Sequence, residues 1–170
     1  MKLCLIVGTN KCGGIGYKGS MPWHFPEDLK YFQRVTKTTI DPQKKNAVLM
    51  GRNTMNSITR FPLGGRINAC VSTTITSHTD KSILFYTSFD NAIKDLMSRD
   101  DEVENIFVIG GSMLYKACLE HTDFKYLYLN ELNNISVCDV FFPAINKEEY
   151  KQIERKYLSK DVVTNIYEKI

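Results

Sequence analysis

The sequence lacks the features of secreted, metal-binding and membrane proteins. Its five cysteines are scattered, and no two form the CxxC pair typical of zinc sites or redox disulfides. The three histidines are dispersed too, so we expect no metal site. No apolar run approaches the length of a membrane span, and the apolar run near the N-terminus is too short for a signal-peptide core. We therefore expect reduced thiols and a cytoplasmic protein that does not engage membranes.

The chain also carries little net charge. Its 22 basic and 19 acidic residues give +3 and are spread along the sequence, which argues against a nucleic-acid-binding stripe. A small phosphorylated or carboxylated ligand is compatible with this balance. With 170 residues, 43% of them hydrophobic, and no repeat or linker, the chain predicts one domain, 1–170, that buries a sizeable core. We expect a monomer that requires no nucleic acid.

Short apolar strands alternate with amphipathic helices along the chain. Helices are predicted from Pro26, after Gly51, from Ser88 and after Gly111, and the first has a predicted buried stripe at Leu29, Phe32 and Val35. The pattern predicts an α/β fold with a mostly parallel sheet, flanking helices and an antiparallel C-terminal hairpin. The predicted strands are Leu3–Val7, Ala47–Met50, Ile67–Ser72, Ile83–Tyr86, Ile106–Ile109, Phe124–Glu131, Tyr150–Leu158 and Val162–Ile170.

A glycine-rich segment leads into one isolated acid. The segment 9–20 contains four glycines, and it is either a lid over a ligand or a plain surface connection. Asp28 follows in the first turn of the predicted helix, among aromatic and apolar residues. A carboxylate removed from water is costly unless it is paired. Asp28 is therefore either a helix-start acid or the partner of a cationic or amidine-like ligand.

Three further strand ends are candidate phosphate sites. Arg52 follows a strand and a glycine, an arrangement that suits either a phosphate or a salt bridge. Ser72 and Thr73 can bind phosphate or satisfy the local backbone. The pair Gly110 and Gly111 lets the backbone approach a ligand closely, but the GxGxxG fingerprint of the Rossmann fold is absent.

The order of five blocks is more specific than any one of them. GIGYKGSMPW with EDLKYFQRVT, then VLMGRNTMNSI, FPLGGRIN, FVIGGSMLYK and VCDVFFP follow one another at workable spacing. Along nearly its whole length the chain resembles the dihydrofolate reductase family, with FQRVT and PLGGRIN closer to the animal enzymes. The resemblance implies an eight-stranded sheet with four helices and NADPH-dependent reduction of 7,8-dihydrofolate to tetrahydrofolate. It implies an antifolate target and, since no thymidylate synthase portion follows, a monofunctional enzyme.

The resemblance also assigns a substrate site. Asp28 would hold the pterin amino group and the adjacent ring nitrogen, and would assist protonation beside the carbon that accepts hydride. Arg66 would clamp the substrate's α-carboxylate, although it could instead be a surface arginine beside a turn. Trp23 would position an ordered water near Asp28. The remaining substrate contacts would come from Val7, Leu29 and Phe32 at the pterin and from Ile58 and Leu63 at the benzoyl portion.

The cofactor residues follow from the same resemblance. Ile15, Gly16 and Met21 would belong to a mobile loop over the nicotinamide, and Arg52 with Ser72 would favour NADPH over NADH. In the family a cis peptide usually joins the double glycine. The phosphates would meet Arg52, Asn53 and Thr54, the ribose phosphate would lie near Ser72 and Thr73, and the pyrophosphate and nicotinamide would contact Ile109, Gly110, Gly111, Ser112, Met113, Leu114 and Tyr115.

Two positions depart from the family pattern. Asn130 stands where the family commonly has a threonine that hydrogen-bonds the acid, and Thr73 replaces a basic residue common in animal relatives. These changes leave two other hypotheses open. One is a related reductase of the same fold, such as the riboflavin-pathway enzyme. The other is a non-catalytic folate or nucleotide binder, which Asn130 alone favours.

Overall fold

A computed structural model describes the whole chain, Met1–Ile170. An eight-stranded sheet forms its centre, with the strands in the order β5-β4-β3-β6-β1-β7-β10-β9, and a two-stranded sheet pairs β2 with β8. The strands are β1 Leu3–Thr9, β2 Gly14–Gly16, β3 Lys45–Gly51, β4 Ile67–Val71, β5 Leu84–Tyr86, β6 Val103–Gly110, β7 Phe124–Leu132, β8 Val140–Phe141, β9 Tyr150–Tyr157 and β10 Val162–Lys169.

Strand direction follows the connections. The strands β1, β3, β4, β5, β6 and β7 run parallel, whereas β10 pairs antiparallel with both β7 and β9. The predicted mostly parallel sheet with an antiparallel C-terminal hairpin is thus confirmed. Each predicted strand is present with ends shifted by a few residues.

Four helices cover the sheet, as the resemblance implies. They are α1 Pro26–Lys37, α2 Arg52–Ser57, α3 Phe89–Met97 and α4 Ser112–Glu120, and a short 3-10 helix spans Lys147–Glu149. Proline is suited to the first helical position, since its missing N–H would have no partner there, and α1 begins at Pro26. The Ser88 side chain caps α3 by accepting a hydrogen bond from the Asn91 amide. No helix has the length and apolar character needed to cross a membrane.

The core has two parts, one on each face of the sheet. Alternate residues of the central strands point to opposite faces, so Leu5 of β1 packs with α3 and α4, whereas Ile6 packs with α1 and α2. Tyr115 of α4 belongs to the first cluster, and Tyr31 of α1 belongs to the second. Two helices therefore cover each face, and the central strands are buried on both.

The predicted stripe on α1 is only partly correct. Phe32 and Val35 pack against the core, but Leu29 is 44% exposed, and the buried residues of the helix are Tyr31 and Thr36. Thr36 lies seven residues after Leu29, on the same side of the helix. The Arg66 and Asn46 side chains hydrogen-bond Thr36. No comparable cover shields Leu29 two turns earlier.

Part of the glycine-rich segment forms regular structure rather than a plain loop. Within it, β2 pairs with β8, and the buried Asn10 side chain ties it to the segment before β8. Asn10 Oδ1 accepts a hydrogen bond from the Gly14 amide at 2.8 Å, and Nδ2 donates to the Ser136 carbonyl at 2.9 Å. A Cβ on Gly14 would collide with Cys138 Sγ, so this position has no room for a larger residue.

Candidate active site

The candidate site lies at the carboxyl ends of β1 and β6. The chain leaves β1 through α1 toward β3, and it leaves β6 through α4 toward β7 on the opposite side of β1. Because α1 and α4 lie on opposite faces, the two connections diverge between these adjacent strands. In open α/β sheets, ligands bind in the crevice that such a divergence creates.

Asp28 stands at this crevice with one polar partner. Its Oδ1 accepts a hydrogen bond from Asn130 Nδ2 at 2.6 Å, and no salt bridge in the protein involves it. Burial raises the pKa of Asp28 above its ordinary value of 3.8; the bond from Asn130 opposes this rise and the charge of Glu27 adds to it. Asp28 is therefore a desolvated acid without a cation.

Close packing at the end of β1 confines the carboxylate. A Cβ placed on Gly8 would lie 3.3 Å from Asp28 Oδ2. Gly8 immediately follows the apolar run of β1, but the sequence contains no signal that this glycine faces the acid across more than a dozen residues. The close approach needs a residue without a side chain, because a methyl group would crowd the acid.

The departure at Asn130 preserves the contact with the acid. The amide nitrogen donates to Asp28, as the family threonine is implied to do, from a side chain that is 3% exposed. Asn130 Oδ1 is buried without a hydrogen-bond partner. An asparagine at this position thus supplies the donor to Asp28 and adds a buried acceptor, Oδ1, that needs a donor of its own.

Arg66 is more than a surface arginine beside a turn. The half-buried guanidinium donates from Nη1 to Thr36 Oγ1 at 3.0 Å and from Nε to the Gly64 carbonyl at 2.9 Å. The Thr36 hydroxyl donates in turn to the Phe32 carbonyl at 2.7 Å. Burial lowers the pKa of Arg66, and no salt bridge neutralises it. The chain thus orients an arginine without a carboxylate partner.

Thr36 was not among the predicted site residues, and it provides a test of this orientation. Thr36→Val removes the acceptor for Arg66 Nη1 with little change in volume. If Arg66 binds a substrate carboxylate, we expect KM for that substrate to rise by about 3- to 10-fold with little change in kcat. Steady-state kinetics measure both constants, and Thr36→Ser, which keeps the hydroxyl, should restore KM. An unchanged KM in the valine variant would contradict a role for Thr36 in orienting Arg66.

The predicted apolar contacts come from α1, from the segment after α2 and from β1. Phe32, Ile58 and Leu63 are partly buried against the α1 and α2 side of the core, Leu29 is exposed, and Val7 is buried near the end of β1. Asn68, which sequence reasoning missed, holds the Leu63 backbone by accepting from its amide and donating to its carbonyl, each at 2.9 Å. The binding roles of these side chains remain predictions.

Trp23 and Met21 precede α1. The Trp23 indole Nε1 is buried and has no hydrogen-bond partner within the protein, whereas the Met21 side chain is largely exposed. Ile15 and Gly16 lie in or next to the strand pair formed by β2 and β8. The roles predicted for these residues at an ordered water and at a loop over the cofactor are not tested by their positions.

The double glycine forms a tight turn between β6 and α4. The peptide between Gly110 and Gly111 is cis, as the resemblance implies, and Gly110 has a φ of 131° that favours glycine. A Cβ on Gly110 would lie 3.1 Å from Thr54 Oγ1. The buried Tyr115 hydroxyl contacts the carbonyl oxygens of Ile6 and Ile109 at 3.1 and 2.9 Å, so it joins the ends of β1 and β6.

The other predicted cofactor residues surround this turn or lie on the next strand ends. Arg52 Nη1 donates to Thr74 Oγ1 at 3.0 Å, and no acid pairs with it, so the salt-bridge alternative is not observed. Ser72 Oγ accepts from the Thr74 and Ile75 amides at 3.2 and 2.9 Å, so it satisfies local backbone. Asn53 and Thr54 lie in α2; Ser112, Met113 and Leu114 begin α4, with Met113 exposed; and Thr73 is exposed.

A parallel sheet with a confined acid at its switch point, an oriented arginine and a glycine turn defines an α/β enzyme with a ligand crevice at the strand ends. The family model described as dihydrofolate reductase matches residues 2–169. The dihydrofolate reductase of Drosophila melanogaster is 38% identical over 85% of this chain and 81% of that protein, and that of Heliothis virescens is 33% identical over 98% and 93%. The structure of Schistosoma mansoni dihydrofolate reductase superposes with a TM-score of 0.85 at 30% identity, covering 100% of this chain and 99% of that one. The chain belongs to the dihydrofolate reductase family, and it is an oxidoreductase of that type.

Proposed function

We propose that this protein catalyses the NADPH-dependent reduction of 7,8-dihydrofolate to 5,6,7,8-tetrahydrofolate. One hydride and one proton are added to the substrate, and NADPH becomes NADP⁺. The observation that carries the proposal is Asp28, a desolvated acid at the switch point that has an amide donor and no cation. The tetrahydrofolate formed would support one-carbon and thymidylate metabolism in the cytoplasm, and antifolates would compete for the same crevice.

Asp28 has the capacity to bind a pterin and to assist its protonation. Asn130 occupies one direction at Oδ1, which leaves acceptor capacity on both oxygens for an amino group and an adjacent ring nitrogen. Two parallel donors from a ligand would offset the cost of keeping this carboxylate out of water. Because its pKa is raised, Asp28 also holds a proton more readily than an exposed aspartate.

The residues around the glycine turn fit a nicotinamide cofactor. Gly110 and Gly111 present backbone without side chains, and the first turn of α4 has no side-chain cap for its amides. Arg52, without an acidic partner, would supply a positive charge for a phosphate. When bound, NADPH would supply the hydride, while the chain would hold its phosphates and exclude water from the crevice.

Cofactor preference tests the assignment of Arg52. We expect NADPH to be used better than NADH, and Arg52→Ala to lower kcat/KM for NADPH by about tenfold while changing that for NADH less. Initial rates with each cofactor at saturating dihydrofolate measure the ratio. The exposed Lys94 of α3 offers a control, since Lys94→Ala removes one positive charge from a residue that is not assigned to the cofactor. Equal losses with both cofactors would contradict a contact between Arg52 and the additional phosphate of NADPH.

Turnover separates the proposal from the two rival functions. A riboflavin-pathway reductase would turn over its pyrimidine substrate faster than dihydrofolate in a side-by-side assay. A non-catalytic binder would bind NADPH tightly without oxidising it when dihydrofolate is added. Asn130, which favoured such a binder, still donates to Asp28 and is compatible with turnover.

A further inference from the structure

Three buried polar atoms on the sheet face that α1 covers have no hydrogen-bond partner within the protein. They are Asn130 Oδ1, Thr164 Oγ1 and the Tyr31 hydroxyl, on residues that are 3%, 0% and 4% exposed. Buried polar groups in folded proteins are nearly always hydrogen-bonded, since an unsatisfied one is destabilising. Three such atoms close to one functional acid therefore call for a common explanation.

Their positions in the fold bring these side chains together. Thr164 of β10 is directly opposite Asn130 of β7 in the antiparallel register, so both side chains project from the same face of the sheet. Tyr31 lies on α1, which packs on that face. The Thr164 hydroxyl and the Tyr31 phenol are close enough to influence each other. Thr164 is therefore the neighbour of Asn130 in the sheet and is also close to Tyr31.

Donor and acceptor chemistry allows one consistent arrangement. Asn130 Nδ2 donates to the Asp28 carboxylate, so Asn130 Oδ1 faces the other way and needs a donor. The Thr164 hydroxyl has one proton to donate and can accept one from the Tyr31 phenol. We propose that Tyr31, Thr164 and Asn130 form a directed chain of hydrogen bonds that ends at Asp28 and fixes the orientation of the Asn130 amide.

In this chain Thr164 and Tyr31 are positioning residues, since neither contacts Asp28 by a hydrogen bond. Their effect on catalysis rests on the proposed function, but their effect on Asp28 does not. If Asn130 Oδ1 loses the hydrogen bond from Thr164, the Asn130 amide is free to rotate. The hydrogen bond from Asn130 Nδ2 that stabilises the ionised Asp28 carboxylate is then weakened. Removing the Thr164 hydroxyl should therefore make Asp28 harder to ionise.

Few other titratable groups surround the acid. Glu27 and Tyr31 lie on the same helix, and Tyr115 approaches from α4, where its own pKa is raised by burial and by the charge of Asp28. Around Tyr31, the charged groups are Asp28 and Arg34 on α1 and Glu154 on β9, and the Tyr128 phenol approaches from β7. Thr164→Val changes none of these groups, so a change in the titration of Asp28 reports on the hydrogen-bond chain.

The test is an NMR titration of the Asp28 side-chain carboxyl in the ligand-free protein, with Asp28→Asn used to assign the resonance. In Thr164→Val, we expect the pKa of Asp28 to rise by roughly half a unit to one unit. Thr164→Ser keeps the hydroxyl and should titrate like the unaltered protein. Tyr31→Phe removes the next donor and should shift the titration less, in the same direction. An unchanged or lowered pKa in folded Thr164→Val would overturn the proposal.

Turnover adds a second readout that separates this proposal from the proposed function. The pH profile of kcat/KM for Thr164→Val should move to higher pH by the same amount as the NMR titration, and Thr164→Ser should restore it. If the protein reduces dihydrofolate but Asp28 titrates identically in Thr164→Val and in the unaltered protein, the proposed function stands and the hydrogen-bond chain is overturned. If Thr164→Val shifts the titration of Asp28 but the protein does not reduce dihydrofolate, the hydrogen-bond chain stands and the proposed function is overturned.

Discussion

Asp28→Asn is expected to lower kcat/KM for dihydrofolate at neutral pH by roughly 10²- to 10⁴-fold while the protein stays folded. Asparagine keeps the size of the side chain but cannot carry the negative charge or pass on a proton. As the pH falls, more of the substrate is protonated in solution, so turnover of the variant should partly recover. Rates measured from acid to neutral pH, with circular dichroism to check the fold, test this prediction.

The same substitution should stabilise the ligand-free protein at neutral pH. A raised folded pKa means that the folded state holds the Asp28 proton more tightly than the unfolded state, so stability falls as the pH rises from about 3.8 through the folded value. An asparagine side chain does not ionise and avoids this loss. We expect thermal melting of Asp28→Asn to exceed that of the unaltered protein by roughly 2–4 °C at neutral pH, and the difference to vanish in acid.

A neighbouring acid provides the control for the effect on turnover. Glu27→Gln removes a carboxylate one residue away on α1, and it should leave kcat/KM within a few-fold because Glu27 is not assigned to the pterin. The loss of its charge should ease ionisation of Asp28 slightly. A loss as large as that of Asp28→Asn would show that charge in the first turn of α1, rather than Asp28 itself, controls the rate.

Arg66→Ala is expected to raise KM for dihydrofolate by roughly 10- to 150-fold, the loss typical of one charge-assisted contact. The side chain is oriented by Thr36 and Gly64 and has no internal acid, so its charge remains available to a ligand carboxylate. Because the contact lies far from the reacting carbon, kcat should change much less than KM. Steady-state kinetics of the variant measure this difference.

A substrate that lacks the α-carboxylate shows whether the effect comes from that contact. With a dihydropterin truncated before its glutamate, Arg66→Ala and the unaltered protein should have similar kcat/KM values. Arg60→Ala removes an exposed arginine from a neighbouring segment and should leave KM for dihydrofolate nearly unchanged. An equal loss for the full and truncated substrates would mean that Arg66 stabilises the site without binding the carboxylate.

The parts of the fold that the sequence predicts are those governed by local chemistry. β1 and β6 contain the continuous apolar runs Leu3–Val7 and Ile106–Ile109 because both faces of the central sheet are covered, and Pro26 marks the start of α1. The prediction that Leu29 is buried is wrong because helical periodicity identifies one side of α1, but it does not show at which turns other residues cover that side. Thr36 is covered by Arg66, which lies 30 residues further along the chain.

The finer structure of the site depends on distant partners in the same way. The short strands β2 and β8 carry no apolar pattern that predicts their pairing, and Asn10 joins them through contacts more than 120 residues apart in sequence. The family resemblance pointed to Asn130 beside Asp28. The register that places Thr164 behind Asn130 is a property of the folded hairpin, which a single sequence does not specify to the residue.

The most direct test of the proposed reaction is to mix the purified protein with NADPH and dihydrofolate and follow NADPH absorbance, with Asp28→Asn in parallel. We predict rapid oxidation of NADPH with formation of an equal amount of tetrahydrofolate, and a rate lower by orders of magnitude in the variant at neutral pH. Tight binding of NADPH without oxidation, or equal rates for the two proteins, would contradict the function and role assigned to Asp28.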